Sequence, residues 1–428
     1  MIVNIEIARG SPWQLRILTV ILVIGVICLF ALQGCAGLAV SESRAAIQGQ
    51  SSANLPMTIR TLDTNHQFVE LSTTIVVQRL RTQRSREPLN ILALSCGAGA
   101  GAFGAGAVAG LTRSGSRPDF AVVTGVSTGA LIAPYAFLGP NWDVRLLDAF
   151  THGPGENFLQ PRGLGALFGS SVYRGAPLKQ LVDGYVSDEM IRAVAGEADK
   201  GRLLLVATTD VATGQPVLWD LGAIARNGGP DARTLFRDVL VASASIPGMF
   251  PPVMIRVTED GATRDEAHVD GAATMPFFVP PAFAETPPEA LAGAQRTAVY
   301  VIIDGQLGET ARATRLTARA IFTRSVDAGL HHMLMTTLEL TAATAQMQGA
   351  TLQYSAIPSA YPLPDGFDFH TDIMRPLLHY AYACAQAGRL WTEFRRTDDD
   401  HGSAAGREQA QTVPCPADDE LVSFFASR

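Results

Sequence analysis

Lysine is almost missing from this chain: of 33 basic residues, only Lys179 and Lys200 are not arginine. Charge of either sign is also sparse, at 17% of 428 residues, below the usual quarter, which excludes a charged disordered polymer. Aromatic residues make up 7%, so the 47% hydrophobic content is mostly aliphatic and small. Five cysteines exclude a disulfide-stapled miniprotein, and Cys96, Cys384 and Cys415 match no metal-ligand spacing. The net charge is −7, and the densest basic run is Arg79, Arg81, Arg84 and Arg86. No aromatic residue interleaves with that run, which reads as a solvated surface segment and not as a nucleic-acid site. No internal repeat is present, and no calcium-loop spacing.

The apolar excess raises the question of a membrane segment. Arg9 and Arg16 precede an uncharged run, ILTVILVIGVICLFAL, at residues 17–32. As a helix it would rise about 24 Å, short of a hydrocarbon core of about 30 Å, so it reads as an export signal. The alternative is an uncleaved anchor extended by Ala36 to Ala39. The run ends in Leu32-Gln33-Gly34-Cys35, which resembles a bacterial lipoprotein processing box. That resemblance implies removal of residues 1–34 as a signal peptide and acylation of Cys35, whose chains would hold the protein to a bacterial membrane. Ala36 stands where an aspartate is associated with inner-membrane retention, so the expected location is the periplasmic face of the outer membrane. Residues 35–88 read as an N-terminal tether and lead-in, polar and small over 41–60.

From residue 89 the pattern changes. LNILALS (89–95), FAVVTG (120–125), RLLLVATT (202–209) and TAVYVIID (297–304) are continuous apolar runs, which suit strands covered on both faces. VMIRV (253–257) and EAHVD (266–270) read as a hairpin turning near Asp260-Gly261. Helices are expected at Ala130 to Leu138, Ala176 to Tyr185, Ser187 to Ala195, Ser325 to Gln348 and Asp372 to Trp391. No linker divides residues 89–395, which are expected to form one α/β domain with a largely parallel central sheet. Residues 396–428 form a polar tail, of which Leu421 to Phe425 is expected to dock back.

Three clusters carry chemistry. Gly125-Val126-Ser127-Thr128-Gly129 follows one strand and opens a helix. Small residues two positions either side of Ser127 permit a sharp turn that lifts its hydroxyl above the sheet, and the helix N-terminus favours negative charge beside it. The bland alternative is a tight turn with a capping serine. A second strand ends in Ser95-Cys96-Gly97-Ala98-Gly99-Ala100-Gly101, continuing to Gly104 and Gly106. Such a loop lets backbone N–H groups converge on an anion. Gly99, Gly101 and Gly104 fit a dinucleotide fingerprint, but the acidic residue expected about 20 positions on is Asp119, which precedes its strand. The third cluster is Asp270-Gly271-Ala272, preceded by the small-residue segment Ala242 to Pro252.

In this order the clusters resemble the patatin-like phospholipase family: a glycine-rich strand end, a G-x-S-x-G elbow and a downstream D-G-[GA]. The segment 242–252, Trp219-Asp220-Leu221-Gly222 and Tyr173-Arg174 extend the resemblance across about residues 89–395. It implies a three-layer α/β/α fold, a Ser127 nucleophile, an Asp270 general base and acid, and backbone N–H groups of Gly97, Ala98 and Gly99 as an oxyanion hole. Gly101, Gly125, Gly129, Gly271 and Ala272 complete the motifs. No metal or cofactor is implied, and the substrates would be lipid acyl esters, phospholipid or lysophospholipid among them. One departure stands out: the family's three consecutive glycines are here Cys96, Gly97 and Ala98. A position needing positive φ would tolerate Ala98 only at a cost of about 1 kcal/mol. Two other readings remain open: a triad completed by His370 or His379, and a tethered lipid-binding protein weakened in turnover. Cys96 reads as a core filler or a thiol-sensitive site, His379 as a packed residue, and Asp304-Gly305 as an ordinary turn.

Overall fold

The computed structural model describes residues 59–62, 68–71, 76, 78–79, 89–152, 158–163, 169–259, 262–285, 297–308, 314–363 and 369–394. The export run, Cys35 and the tail 396–428 lie outside these residues. The aliphatic runs become strands: β1 (Ile59–Leu62), β2 (Phe68–Leu71), β3 (Leu89–Leu94), β4 (Val122–Val126) and β5 (Leu203–Asp210). They continue as β6 (Pro216–Asp220), β7 (Val253–Glu259), β8 (Ala262–Asp270), β9 (Thr297–Gln306), β10 (Thr351–Ile357) and β11 (Thr392–Glu393). All join one 11-stranded sheet in the order β11-β10-β9-β3-β4-β5-β6-β1-β2, with β8 pairing β5 and β7 off that path.

The centre of the sheet, from β10 through β9, β3 and β4 to β5, is parallel. β4 and β5 are buried at every position, as runs without polar alternation require. The helices are α1 (Ala102–Arg113), α2 (Thr128–Leu138), α3 (Asp143–His152), α4 (Ala176–Tyr185) and α5 (Asp188–Asp199). They continue as α6 (Leu221–Asn227), α7 (Gly229–Ser243), α8 (Pro281–Glu285), α9 (Ala318–Met347) and α10 (Thr371–Gln386). One buried cluster gathers Phe103, Phe137, Phe236 and Leu377; a second gathers Phe277, Phe283, Leu334 and Leu338 on the opposite face. The result is a three-layer α/β/α arrangement.

Several boundaries differ from the sequence reading. The sheet starts before residue 89, because β1 pairs in parallel with β6. Arg79, read as part of a solvated run, forms a salt bridge with the buried Asp220. α9 begins at Ala318, where Thr317 caps it by accepting the Ala320 N–H. α10 ends at Gln386, well before Trp391, since Gly388 at φ 70° stops it. Trp391 packs instead on Tyr300, with ring centroids 5.1 Å apart.

α1 shows why this chain uses glycine inside a helix despite a cost near 1 kcal/mol. A Cβ at Gly106 would lie 2.1 Å from the Leu378 carbonyl oxygen on α10. Only a bare backbone permits this contact, and α1 leads directly from the glycine-rich loop. Gly106→Val is expected to destabilise the protein by about 3 kcal/mol, measured as a lower urea midpoint. An unchanged midpoint would contradict this packing.

Candidate active site

β4 pairs with β5 in parallel as far as Val126 opposite Ala207. From Thr208 onward the same edge of β5 is taken by β8, which runs the other way and closes with Asp270 opposite Thr208. The two strands meet end to end. The residue after β4 is Ser127, and its Oγ donates to Asp270 Oδ2 at 2.5 Å.

Ser127 has φ 56° and ψ −124°, a left-handed conformation that costs a non-glycine residue roughly 1–3 kcal/mol. Its neighbours hold it there. Its N–H donates to Ser243 Oγ at 3.0 Å, and its carbonyl accepts from Ala130 N at 2.9 Å. A Cβ at Gly129 would sit 2.5 Å from the carbonyl oxygens of both Leu94 and Ser95, so the elbow presses against the end of β3. Ser243 Oγ also donates to Ala207 O at 2.7 Å, while Ser245 O accepts the Asp270 N–H at 2.9 Å. The end of α7 thus fastens both Ser127 and Asp270. The sequence reading marked segment 242–252 but assigned it no role; its signal was two serines among alanines at an aliphatic helix end.

Asp270 is 2% exposed. Burial pushes its pKa up to about 7, against the lowering hydrogen bonds from Ser127 and from Ala272 N. The Ala272 bond, 2.8 Å to Oδ1, belongs to a short turn that starts at Gly271. Near neutrality this carboxyl exists in both forms, as a group exchanging protons at that pH must.

The glycine-rich loop follows β3 on the other side of Ser127. Ala98 takes φ 49°, the conformation in which a Cβ is penalised. Thr128 Oγ1 holds its carbonyl at 2.8 Å, and Ala100 N donates to Gly97 O at 2.9 Å. The N–H groups of Gly97, Ala98 and Gly99 have no acceptor among the described residues. Gly101 packs against the Thr128 side chain, and Gly125 lies in β4.

Asp304 is not an ordinary turn residue. It lies within β9, 2% exposed, and its Oδ1 accepts from Gly104 N at 2.7 Å in the first turn of α1. Its own N–H donates to Ser95 Oγ at 2.9 Å. Asp304 thereby braces the glycine-rich loop from the β9 side, and burial holds its pKa well above the usual carboxylate range. Cys96 is buried; burial first, then the charges of Asp270 and Asp304, push its thiol up. It remains a protonated core thiol.

No histidine among the described residues hydrogen-bonds to Ser127 or Asp270. His370 precedes α10, and His379 is half-buried within it, its pKa lowered by burial and by Arg375. The histidine the sequence reading missed is His268, two residues before Asp270 and fully buried. It contacts Thr208 Oγ1 at 3.0 Å and Glu266 Oε2 at 3.1 Å, and Trp219 Nε1 donates to the same threonine at 2.8 Å. Burial of Glu266 is outweighed by hydrogen bonds from His268 and Arg60 and by the Arg60 charge, which bring its pKa to about 2.

Ser127 and Ala98 line a cleft with mostly apolar walls. Its walls include Leu131, Phe150, Phe158, Leu178, Val182, Met190, Leu240, Phe250 and Met374, and none of its described lining residues is charged. Walls of this polarity suit an apolar ligand.

Residues 92–283 match the family model described as patatin-like phospholipase. No curated protein matches the chain in sequence. Among solved structures it is similar to VipD from Legionella pneumophila, at 9% identity over 82% of this chain and 73% of that one, with a TM-score of 0.31. That likeness is too distant to bear on function.

The raised pKa of Asp270 fixes a stability prediction. Its ordinary value is 3.8 and its folded value about 7, so the folded state binds the proton more tightly. Stability is therefore fully present below about pH 4 and falls as pH rises towards 7. Asp270→Asn removes this titration. It is expected to exceed wild type by about 3 kcal/mol at pH 8, after the loss of one hydrogen bond, with the gap closing below about pH 4. Urea unfolding at the two pH values checks this; a gap that does not change with pH would contradict it.

Proposed function

We propose that this chain, which carries a patatin-like phospholipase domain over residues 92–283, hydrolyses lipid acyl esters with Ser127 as nucleophile and Asp270 as its acid–base partner. The observation that carries the reading is the 2.5 Å hydrogen bond from Ser127 Oγ to Asp270 Oδ2, with Ser127 in the wall of an apolar cleft. An acyl chain seated in that cleft brings its ester carbonyl to the hydroxyl. Oγ attacks the carbonyl carbon as its proton passes to Asp270, and the carbonyl oxygen takes the negative charge. The N–H groups of Gly97, Ala98 and Gly99 supply the donors for that oxyanion; one such donor commonly contributes about 2.7–4 kcal/mol. Collapse breaks the bond to the leaving alcohol, which takes the proton from Asp270. Water then gives a proton to Asp270, attacks the acyl-enzyme and releases the acid, and the proton returns to Ser127.

A carboxylate is a weak base for an alcohol in water. In a dry site its basicity rises, and a value near 7 keeps a usable fraction ionised at neutral pH. A serine–aspartate–histidine scheme lacks support, since no histidine among the described residues bonds to the pair. We also propose that acylated Cys35 tethers the domain at the periplasmic face of a bacterial outer membrane; its support is the Leu32-Gln33-Gly34-Cys35 sequence.

Ser127→Ala and Asp270→Asn are each expected to lower hydrolysis of a lysophospholipid about a thousandfold or more. His370→Ala and His379→Ala are expected to keep roughly half or more. Because Asp270 must be ionised to accept the proton, kcat/KM should rise roughly tenfold per pH unit below about 7 and level above it. Steady-state assays on purified variants test this. A histidine variant as inactive as Ser127→Ala would replace the two-residue scheme with a triad.

A further inference from the structure

α9 is 30 residues long, about 45 Å, while the ten-residue β9 beside it reaches about 33 Å. Leu334 and Leu338 are buried against the sheet and Leu330 packs beside them. Ahead of Leu330, no described residue from Thr314 onward is buried. This exposed beginning is not polar. Leu316 is 91% exposed, Phe322 71%, Ile321 48% and Val326 45%. At 100° per residue, Ile321 and Phe322 lie 100° or more around the helix from Leu334 and Leu338, and Val326 lies between Phe322 and Leu330, so the three share one exposed apolar arc. Charge in the same stretch has one sign. Residues 311–326 include Arg312, Arg315, Arg319 and Arg324 and no acidic residue, in a chain whose net charge is −7.

The position of this segment follows from topology. β9 runs parallel to β3, and β3 to β4, so the end of β9 lies at the sheet edge that also carries the glycine-rich loop and Ser127. α9 then returns across the sheet to β10, leaving its exposed first turns at that edge.

We propose that the segment from Thr314 to Val326 docks on an anionic lipid surface. Leu316, Ile321, Phe322 and Val326 enter the boundary between headgroups and acyl chains, and Arg315 and Arg324 face lipid phosphates. A segment with an exposed apolar face whose charges between Glu309 and Asp327 are all arginine is suited to lie in that plane. Docking there turns the edge that carries Ser127 towards the lipid. That consequence for catalysis rests on the acyl-hydrolase reading; the docking does not.

The test uses the full chain and hydrogen exchange followed by mass spectrometry, which reads this segment separately from the N-terminal apolar run. Vesicles of phosphatidylcholine and phosphatidylglycerol at 3:1 should slow exchange in peptides covering 314–326, and pure phosphatidylcholine at the same lipid concentration should not. The double variant Ile321→Ser/Phe322→Ser and, separately, Arg315→Glu should lose that protection. They should also hydrolyse vesicle lipid roughly tenfold more slowly, while hydrolysis of a monomeric short-chain ester stays unchanged. Equal exchange with and without anionic vesicles would overturn the proposal. So would protection that appears without lipid as protein concentration rises, which would mark a face between two copies of the chain. If wild type hydrolyses neither substrate, the acyl-hydrolase reading falls while the exchange data still decide the docking.

Discussion

β5 gives one edge to two partners, β4 up to Ala207 and β8 from Thr208, and that shared edge is the constraint on which the site depends. Parallel pairing brings the end of β4 to this point from one direction; antiparallel pairing brings the end of β8 from the other. Neither strand can lengthen without colliding with its counterpart. The chain therefore turns sharply at both ends, into α2 after Ser127 and into a short turn after Asp270. The distance between the two side chains is set by backbone pairing across a buried sheet, which is among the stiffest references a protein offers. Ser243 and Ser245 add a second brace from α7, tying the two backbones to each other.

Burial is used here against stability. Two carboxyl groups, Asp270 and Asp304, lie almost without solvent near the glycine-rich loop, and desolvation raises both. Asp304 spends its hydrogen bonds on the start of α1 and the end of β3, so its role is to hold the loop. Asp270 instead keeps one oxygen on Ser127 and one on the following turn. Upstream on β8 the polar residues are compensated differently. Arg60, Glu266, His268, Thr208 and Trp219 form a connected set in which the ion pair has a cation to balance its buried acid. The same strand thus carries a satisfied carboxylate at Glu266 and a desolvated one at Asp270, and the two are driven to opposite sides of their ordinary range.

The sequence was most legible where the determinants are local. Continuous aliphatic runs identified β3, β4, β5 and β9, and an α/β class with a largely parallel sheet followed from their alternation with helices; the three-layer arrangement came with the resemblance. The turn at Ser127 was visible because small residues at fixed offsets permit it. Asp270 became a candidate through its order in a recognised pattern, and the structure places it against Ser127. What stayed hidden depends on register between distant segments. Nothing near Arg60 or His268 signals that both bond Glu266, and Asp304-Gly305 has the composition of a turn although it lies within strand β9. Ala98 was marked as a departure from a glycine pattern; that it must adopt positive φ emerged only from the folded loop.

The proposed hydrolysis depends on Ser127 being an activated nucleophile. Treating the folded full chain with a fluorophosphonate and locating the adduct by peptide mass spectrometry tests it most directly. One adduct is expected, on Ser127, forming faster as pH rises through about 7 and absent from Ser127→Ala protein. No adduct on folded wild type, or an adduct on another serine that persists in Ser127→Ala protein, would contradict it.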